Sequence, residues 1–294
     1  MPVFEKETGA LAVTDETVLP VGGIQSKQTP KDSLVGAGDK RAKQSAGDTG
    51  AEKPRMVKMV NQDLEEVETR TMTLEDWHNK WRRGKTKFHM SKVHPNLQKF
   101  YNRMIQGEGR KRIFVPMCGK TLDMKWLSDK GHGVVGNEVV EMACRQFFEE
   151  HDLQYTTERI EGVEGTLFKA TDIDLQLFNC DYYKLTSDVI GTFDCIWDRG
   201  AMAAANPEDR DKYAAVIVPL LKPTGAYLLD LFELENTVFA GPPHGISDAR
   251  VDELFASKCN IEELLRADRM GDWQRSWGLD SFKEVVRLLT PKQT

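Results

Sequence analysis

The sequence contains few cysteines and histidines and no long apolar run. Its 294 residues include five cysteines, none in a C-x-x-C pair, and six histidines without the spacing of metal ligands. Such spacing supports neither a zinc motif nor a disulfide framework, so we expect reduced, mostly buried thiols and no metal ion. No apolar run reaches the ~18 residues of a membrane-spanning helix. The first residues lack the basic and apolar regions of a secretory signal.

Positive charge is also scarce. The 40 Lys and Arg residues stand against 46 Asp and Glu residues, which gives a net charge of −6. Proteins that bind nucleic acid depend on clustered Lys and Arg. We therefore expect no nucleic-acid partner and no membrane partner. The chain is interpreted as a cytoplasmic monomer that acts on a small molecule.

The first part of the chain has almost no aromatic residues and no apolar periodicity. Residues 1 to 55 are rich in Gly, Lys, Asp, Ser, Thr and Pro. Such a composition cannot bury enough apolar surface to offset the entropy of the chain. We predict a disordered tail over residues 1–70 and one folded domain over residues 71–294.

Short apolar runs alternate with helical patterns in the rest of the chain. Thr73, followed by Asp76 three residues later, predicts the start of a helix. Strands are predicted in "RIFVPM", "GVVGNEV", "LQLFNCDYY", "FDCIWDRGA" and "GAYLLDLFE", and "SFKEVVRLLT" is predicted as an edge strand. This alternation predicts an α/β fold with a doubly wound, mostly parallel sheet. Ligands of such sheets bind beyond the carboxyl ends of the strands, where the strand order reverses.

The string CGKT after the first predicted strand suggests a phosphate-binding loop. The Walker pattern needs a glycine five residues before Gly119, and that position is Phe114. A G-x-G-x-x-G pattern is also missing, which disfavours a nicotinamide dinucleotide. The loop is therefore expected to face a ligand without a pyrophosphate.

Two acidic residues follow neighbouring predicted strands. Glu138 lies about 20 residues beyond the first loop, where open α/β sheets place an acid on ribose hydroxyls. The alternative for Glu138 is a surface acid or an acid at a helix start. Asp181 can accept a hydrogen bond from the adenine amine, and Tyr182 beside it can stack on the ring. The alternative for Asp181 is a turn residue that bonds its own backbone.

An adenosine without phosphates points to S-adenosyl-L-methionine as the cofactor. Its sulfonium is a cation, and cations are attracted to aromatic rings. Trp77, Trp81 and Phe88 are close enough in sequence to form an apolar lid over such a ligand. The alternative for this segment is an ordinary docking helix with two core tryptophans.

Five segments resemble the thiopurine S-methyltransferase family in order and spacing. They are "LEDWHNKWRRGKTKFH", "FVPMCGKTLDMKWLSDKGHGVVGNEV", "FDCIWDRGAMAAANPEDRDKYA", "AGPPHGIS" and "WGLD". The resemblance covers about residues 72 to 291. It implies the fold of class I S-adenosylmethionine-dependent methyltransferases, which is Rossmann-like, and methyl transfer to the sulfur of a small aromatic or heterocyclic thiol such as a thiopurine.

The resemblance also implies the residues of the site. The family's cofactor contacts fall on Trp77, Trp81, Phe88, Met117, Glu138, Asp181, Tyr182 and Arg199. Its substrate contacts fall on Phe88, and we add Arg199 as a second one. Met117 and Asp181 stand where mammalian members have Leu and Ser. Trp273 stands where they have an arginine near the substrate, and Arg275 is a candidate replacement.

Two residues are candidates for a catalytic role. Arg199 can stabilise an anionic substrate or a forming thiolate, or it forms an ion pair with a nearby acid. Asp198 can accept a thiol proton through water, or it has a structural role beside Arg199. An aromatic thiol is already partly ionised near neutral pH, so a strong general base is not required. Cys118 is expected to be buried and inert.

Two other functions remain open. The chain could bind S-adenosylmethionine without turnover, or it could methylate a different acceptor, namely another thiol, a selenium compound or a halide.

Overall fold

The structure is a computed structural model that describes residues 58–234 and 238–293. Most of the predicted tail, residues 1–57, lies outside the described residues. The rest of it, from Lys58 to Arg70, contains a small hairpin that packs on the domain. Val60 forms backbone hydrogen bonds with Val238 (2.9 Å) and Ala240 (2.7 Å). The folded part therefore begins before the predicted boundary at residue 71. Two-residue strands have too short a pattern to be recognised in sequence.

Strands and helices alternate along most of the domain. The strands are β1 (Met59–Val60), β2 (Glu66–Val67), β3 (Arg112–Val115), β4 (Gly133–Asn137), β5 (Tyr155–Arg159), β6 (Thr166–Ala170), β7 (Leu175–Asn179), β8 (Phe193–Arg199), β9 (Leu221–Leu234), β10 (Cys259–Asp268) and β11 (Phe282–Pro291). The helices are α1 (Leu74–Arg82), α2 (Pro95–Ile105), α3 (Leu122–Asp129), α4 (Glu141–Glu150), α5 (Ser187–Ile190), α6 (Ala201–Ala204), α7 (Arg210–Leu220), α8 (Asp248–Phe255) and α9 (Asp272–Ser276).

Within the described residues, the central sheet has nine strands in the order β10-β11-β9-β8-β3-β4-β7-β6-β5. The five middle strands, β9, β8, β3, β4 and β7, are parallel to one another. Both flanks are antiparallel. The order reverses between β3 and β8, because β4 and β7 continue to one side of β3 and β8 and β9 to the other. A ligand is expected beyond the carboxyl ends of these two strands.

Alternate residues of the central strands pack into two separate hydrophobic clusters. On β3, Phe114 belongs to one cluster, which includes residues of α7 and α8. Its neighbours Ile113 and Val115 belong to the other, which includes residues of α2, α3 and α4. Successive strand residues point to opposite faces, so helices cover both sides of the sheet. The predicted α/β, doubly wound fold is confirmed.

The flanks differ from the sequence prediction. Strands β5, β6 and β10 were not predicted. Strand β5 is largely exposed and β10 is partly buried, and polar residues hide the alternation in both. The segment predicted as an edge strand is β11, which pairs with β10 on one side and β9 on the other. That prediction was wrong. The burial of β11 follows from the unpredicted β10 outside it.

Helix α1 begins as predicted. The Thr73 side chain accepts a hydrogen bond from the Asp76 backbone, and the Asp76 carboxylate accepts one from the Thr73 backbone (2.8 Å). This capping box satisfies two backbone donors that the first turn cannot pair internally. It fixes where the helix carrying Trp77 and Trp81 enters the fold.

Candidate active site

A cavity of about 470 Å³ opens beyond the carboxyl ends of β3, β4, β7 and β8. It therefore lies at the reversal point of the strand order. Every residue predicted to bind cofactor or substrate lines it: Trp77, Trp81, Phe88, Met117, Glu138, Asp181, Tyr182 and Arg199. The first and the last of these residues, Trp77 and Arg199, are more than 120 positions apart in the sequence. The fold brings all of them to the wall of one cavity. Their contacts with a ligand stay a prediction.

The CGKT loop after β3 serves the protein itself. The Gly119 amide donates to Glu138 Oε2 (2.9 Å), and the Lys120 amide donates to His89 Nε2 (3.0 Å). The Lys120 ammonium pairs with Glu150. These donors are those that a phosphate cradle would need free. The loop is therefore not built for a nucleoside triphosphate.

Gly119 has a geometric reason to be glycine. Its φ is +53°, and a Cβ at this position would lie 2.1 Å from His89 Nε2. A side chain here would push away the segment that carries Phe88 and His89. The glycine thus lets the segment that carries Phe88 and His89 approach the loop closely.

Glu138 is almost completely buried at the end of β4. Its Oε1 accepts from the Val140 amide (2.8 Å), and its Oε2 accepts from Gly119. Burial raises its pKa to about 7, although the backbone hydrogen bonds act in the opposite direction. It is thus a buried acid with two oxygens at the cavity wall. The alternative of a surface acid does not hold.

Asp181 and Tyr182 have double roles. Asp181 Oδ1 accepts from the Tyr183 amide (3.0 Å), so Asp181 caps a turn as well as lining the cavity. Tyr182 is buried, its ring stacks on Tyr213 at 4.6 Å, and its hydroxyl donates to the Tyr213 carbonyl. One face of this ring is therefore committed to the core. Tyr183 also lines the cavity, which the sequence analysis missed.

Trp77, Trp81 and Phe88 pack edge to face and form one wall, which we call the aromatic lid. Phe88 lies 6.0 Å from Trp77 and 6.3 Å from Trp81 between ring centroids. Trp81 is buried against α4 residues, whereas Trp77 and Phe88 are half-buried. The segment therefore packs on the core, mainly through Trp81, and also forms a wall of the cavity. The two interpretations from the sequence do not exclude each other.

Arg199 ends β8 beside the lid. Its Nη1 donates to the Phe88 carbonyl (2.9 Å). Its Nε is buried and has no hydrogen-bond partner in the part of the chain that the structure describes. A buried donor without a partner is costly. Arg199 can thus receive an anionic group of a ligand.

Asp198 is not among the described residues that line the cavity. Its Oδ2 accepts from the hydroxyls of Tyr213 (2.6 Å) and Tyr227 (2.7 Å), and its Oδ1 accepts from the Met202 amide (3.2 Å). Burial raises its pKa. The predicted catalytic role of Asp198 is therefore corrected to a structural one, because its oxygens are engaged inside the core.

The end of the cavity near α9 contains residues that the sequence analysis missed or misplaced. Trp273 lines it and is exposed by 43%, with the Lys87 ammonium 5.2 Å from its ring. Arg275 does not belong to the described lining, whereas Arg269 does. The arginine at this part of the cavity wall is therefore Arg269, whereas Arg275 was the candidate from the sequence.

A buried polar cluster stands next to Arg269. His94, Asp230 and Glu284 place donor atoms within 4.8 Å of one another. His94 and Glu284 line the cavity, and Asp230 lies directly behind them. No sequence signal could have joined residues so far apart in the chain.

All five cysteines are buried and unpaired with one another, as expected. Burial raises the pKa of the Cys118 thiol well above its usual value. A thiol of this kind is a poor nucleophile. In the part of the chain that the structure describes, no helix is long and apolar enough to cross a membrane.

Known structures share this architecture at low sequence identity. A Burkholderia thailandensis 1,6-didemethyltoxoflavin-N1-methyltransferase superposes with a TM-score of 0.52 at 13% identity, over 74% of this chain and 87% of that one. A Haemonchus contortus phosphoethanolamine N-methyltransferase 2 gives 0.51 at 12% identity, over 75% and 58%. The fold is that of the class I S-adenosylmethionine-dependent methyltransferases.

Sequence comparison identifies the family within this class. Residues 72–292 match the thiopurine S-methyltransferase family. A probable thiopurine S-methyltransferase of Danio rerio is 43% identical over 76% of this chain and 97% of its own length. The Bos taurus thiopurine S-methyltransferase is 41% identical over 78% and 94%. The chain belongs to the thiopurine S-methyltransferase family, and the resemblance found in the sequence is confirmed.

Proposed function

We propose that this protein transfers the methyl group of S-adenosyl-L-methionine to the sulfur of a small aromatic or heterocyclic thiol, as the names of its relatives suggest. The observation that carries the proposal is that the family match, residues 72–292, contains every residue predicted to bind the cofactor or the substrate, and all of these residues line one cavity. The matched range includes both the aromatic lid and the acids at the strand ends. Fold alone does not fix function, so the proposal depends on this family match and on the cavity residues, and not on the fold.

The residues of the cavity fit this cofactor. Glu138 can accept hydrogen bonds from two ribose hydroxyls, and Asp181 can accept one from an adenine amine. The loop at Gly119 offers no free phosphate cradle, which suits a ligand without phosphates. The unpartnered Nε of Arg199 can meet a carboxylate. When bound, S-adenosyl-L-methionine supplies an activated methyl group on a sulfonium sulfur.

The opposite wall fits a flat acceptor with negative charge. Its aromatic residues are Phe88, Phe232, Trp273, Trp277 and Phe282. The cations that line the cavity are Lys87, Lys92, Arg199 and Arg269, and Arg269 is paired with Glu284. Aromatic walls bind flat rings by burial and stacking, and the cations favour a thiolate or an anionic substituent. A heterocyclic or aromatic thiol combines both properties.

The protein's own contribution is alignment and exclusion of water. The aromatic lid is held over the cavity by the hydrogen bond from Arg199 to Phe88 and by the close approach of His89 to Gly119. Holding two reactants in line can contribute about 7–11 kcal/mol to a barrier. Arg199 also places positive charge where an attacking sulfur is negative. We further propose that the protein acts as a cytoplasmic monomer without nucleic acid, which size-exclusion chromatography can test for the oligomeric state.

Two measurements test the proposal. Isothermal titration with S-adenosylhomocysteine is expected to show binding, and no heat of binding would refute the cofactor assignment. A turnover assay with thiophenol and 6-mercaptopurine then separates an enzyme from a protein that binds cofactor without turnover. Binding with no methylation of any thiol in the panel would favour the second function.

A further inference from the structure

We propose that Glu284 accepts the proton of the acceptor thiol, and that His94 and Asp230 position its carboxylate. This inference rests on the function proposed above and deepens it, because it assigns a proton acceptor to the same cavity. We refer to His94, Asp230 and Glu284 as the acid triad.

The acid triad lies on the half of the sheet opposite to the predicted nucleoside contacts. Glu138 follows β4, on one side of the reversal point between β3 and β8. Asp230 lies on β9 and Glu284 on β11, on the other side. An acceptor that enters opposite the nucleoside therefore meets the triad.

The imidazole of His94 lies between the two carboxylates. Its Nδ1 is 3.7 Å from Asp230 Oδ2, and its Nε2 is 3.8 Å from Glu284 Oε1. The two ring nitrogens thus face different carboxylates. Both separations are longer than a hydrogen bond, so the imidazole acts as a spacer that sets the positions of the two carboxylates by packing between them.

Hydrogen bonds fix the tautomer of His94. The Asn96 amide donates to His94 Nδ1 (3.3 Å), so this nitrogen is an acceptor and the ring proton is on Nε2, the side that faces Glu284. Arg269 Nε donates to Glu284 Oε2 (2.9 Å). This hydrogen bond fixes the Oε2 side of the Glu284 carboxylate, whereas Oε1 accepts no hydrogen bond from Arg269. Of the two carboxylates, only that of Glu284 lines the cavity.

Two members of the triad, Asp230 and His94, have strongly shifted pKa values. Burial, together with the charge of Glu284, raises the pKa of Asp230 to about 8. Burial and the charge of Arg199 lower the pKa of His94 to about 4. At neutral pH Asp230 is therefore mostly protonated and His94 is neutral. The other charged groups that act on the triad are Arg199, Arg269, Asp123 and Asp198.

Further support comes from Asp230 itself. Its Oδ2 accepts from the Asn96 side chain (2.9 Å), whereas its Oδ1 is buried without a hydrogen-bond partner among the described residues. A core with a purely structural polar group would satisfy both oxygens. An unsatisfied, fully buried acid beside a ligand cavity is typical of a functional site.

The proposed reaction consists of one proton transfer and one methyl transfer. The S–H bond of the thiol breaks, its electron pair stays on sulfur, and the proton forms an O–H bond with Glu284. The thiolate is the nucleophile and forms a new bond to the methyl carbon, which gives a neutral thioether. The bond between the methyl carbon and the sulfonium sulfur breaks, its electron pair stays on that sulfur, and neutral S-adenosylhomocysteine is the leaving group. Glu284 returns the proton to solvent when the product leaves. A thiol that is already ionised does not need this step.

The test compares two acceptors that differ by one methylene group. Thiophenol is an aryl thiol and largely ionised near neutral pH. Phenylmethanethiol is an alkyl thiol, and alkyl thiols such as cysteine have a pKa of about 8.5. In Glu284→Gln at pH 7, kcat/KM for phenylmethanethiol is expected to fall about 100-fold. The value for thiophenol is expected to change by less than about threefold.

The pH profile separates proton transfer from a structural role. The deficit of Glu284→Gln with phenylmethanethiol should disappear as the pH rises to about 9.5, because the thiol then ionises without help. His94→Asn retains a helix-capping side chain but shortens the reach to Glu284. It should show the same pattern with a deficit of about tenfold. S-Adenosylhomocysteine affinity should be unchanged in both variants.

Glu233→Gln is the matched control. Glu233 is a carboxylate on the same strand as Asp230, paired with Arg266 and Lys283 and absent from the described lining. Its kcat/KM should be unchanged for both thiols. An equal loss for both thiols in Glu284→Gln, or a deficit that is constant with pH, overturns the proposal.

The wild-type protein keeps the proposal testable if Glu284→Gln does not fold. Its kcat/KM for phenylmethanethiol should vary little between pH 6.5 and 8.5, and a tenfold rise per pH unit overturns the proposal. Methylation of thiophenol by the wild type tests the proposed function separately. Turnover of no thiol would refute that function rather than the role of Glu284.

Discussion

Glu138→Gln tests the assignment of the nucleoside end of the cavity. The carboxylate is buried and accepts two backbone hydrogen bonds, from Gly119 and Val140. Glutamine has nearly the same shape but only one acceptor oxygen and no charge. If Glu138 binds ribose hydroxyls, the variant should lose part of the affinity for S-adenosylhomocysteine.

The magnitude follows from the hydrogen bonds and the pKa. Hydrogen bonds to a charged group contribute about 1.5–3 kcal/mol, so Kd should rise about 10- to 150-fold at pH 8. In the wild type, burial raises the pKa of Glu138 to about 7. Only the ionised form accepts from both hydroxyls, so affinity should fall as pH decreases through 7. Between pH 8 and pH 6 the wild-type Kd should rise about tenfold.

Isothermal titration from pH 6 to 8.5 measures both effects. The Glu138→Gln variant should lack the pH dependence, because its amide does not titrate. Glu141→Gln is the control: Glu141 is exposed, pairs with Arg145 and is absent from the described lining. A wild-type Kd that is constant over this range, or the same slope in Glu138→Gln, would refute the reasoning.

Three further predictions concern stability and acceptor choice. Burial raises the pKa of Asp230 from 3.8 to about 8, so its contribution to stability is fully present below about pH 4 and is lost as the pH rises from 4 through 8. Asp230→Asn should thus have a higher Tm than wild type at pH 9 and a similar one at pH 4. Trp273→Arg should raise kcat/KM for the anionic thiol 2-mercaptobenzoate severalfold relative to that for thiophenol. An unchanged ratio of the two kcat/KM values would count against a role of Trp273 in acceptor preference. Gly119→Ala should destabilise by about 1–3 kcal/mol in thermal unfolding, since its Cβ would meet His89. Gly131→Ala, with positive φ but open space, is its control and should lose less.

Local patterns predicted the centre of the fold well. The parallel strands are short apolar runs buried on both faces, and such runs stand out from the helical segments between them. The acid after β4 was found from its position alone, since strand ends converge wherever the sheet is parallel. Glu138 and Asp181 could therefore be placed without knowing any long-range contact.

The flanks and the acceptor wall were not predictable in this way. Strand β10 pairs antiparallel with β11 and has an irregular register near Glu263, so its alternation is broken. The acid triad joins residues on β9, β11 and the turn before α2, and no local pattern encodes that meeting. Asp198 was misread for the same reason, because its tyrosine partners lie 15 and 29 residues away.

The layout of the cavity explains where the acceptor preference can change. The predicted cofactor contacts, such as Glu138, follow parallel strands whose positions are set by neighbours on both sides. Trp273 instead lies on the short helix α9, in the connection between β10 and β11, and is partly exposed. A substitution there alters the acceptor wall without moving a central strand. Arg199 lies at the reversal point of the strand order and contacts the aromatic lid, so its loss should impair the binding of both the cofactor and the acceptor. Substitutions at Trp273 should instead change the kinetics for the acceptor alone.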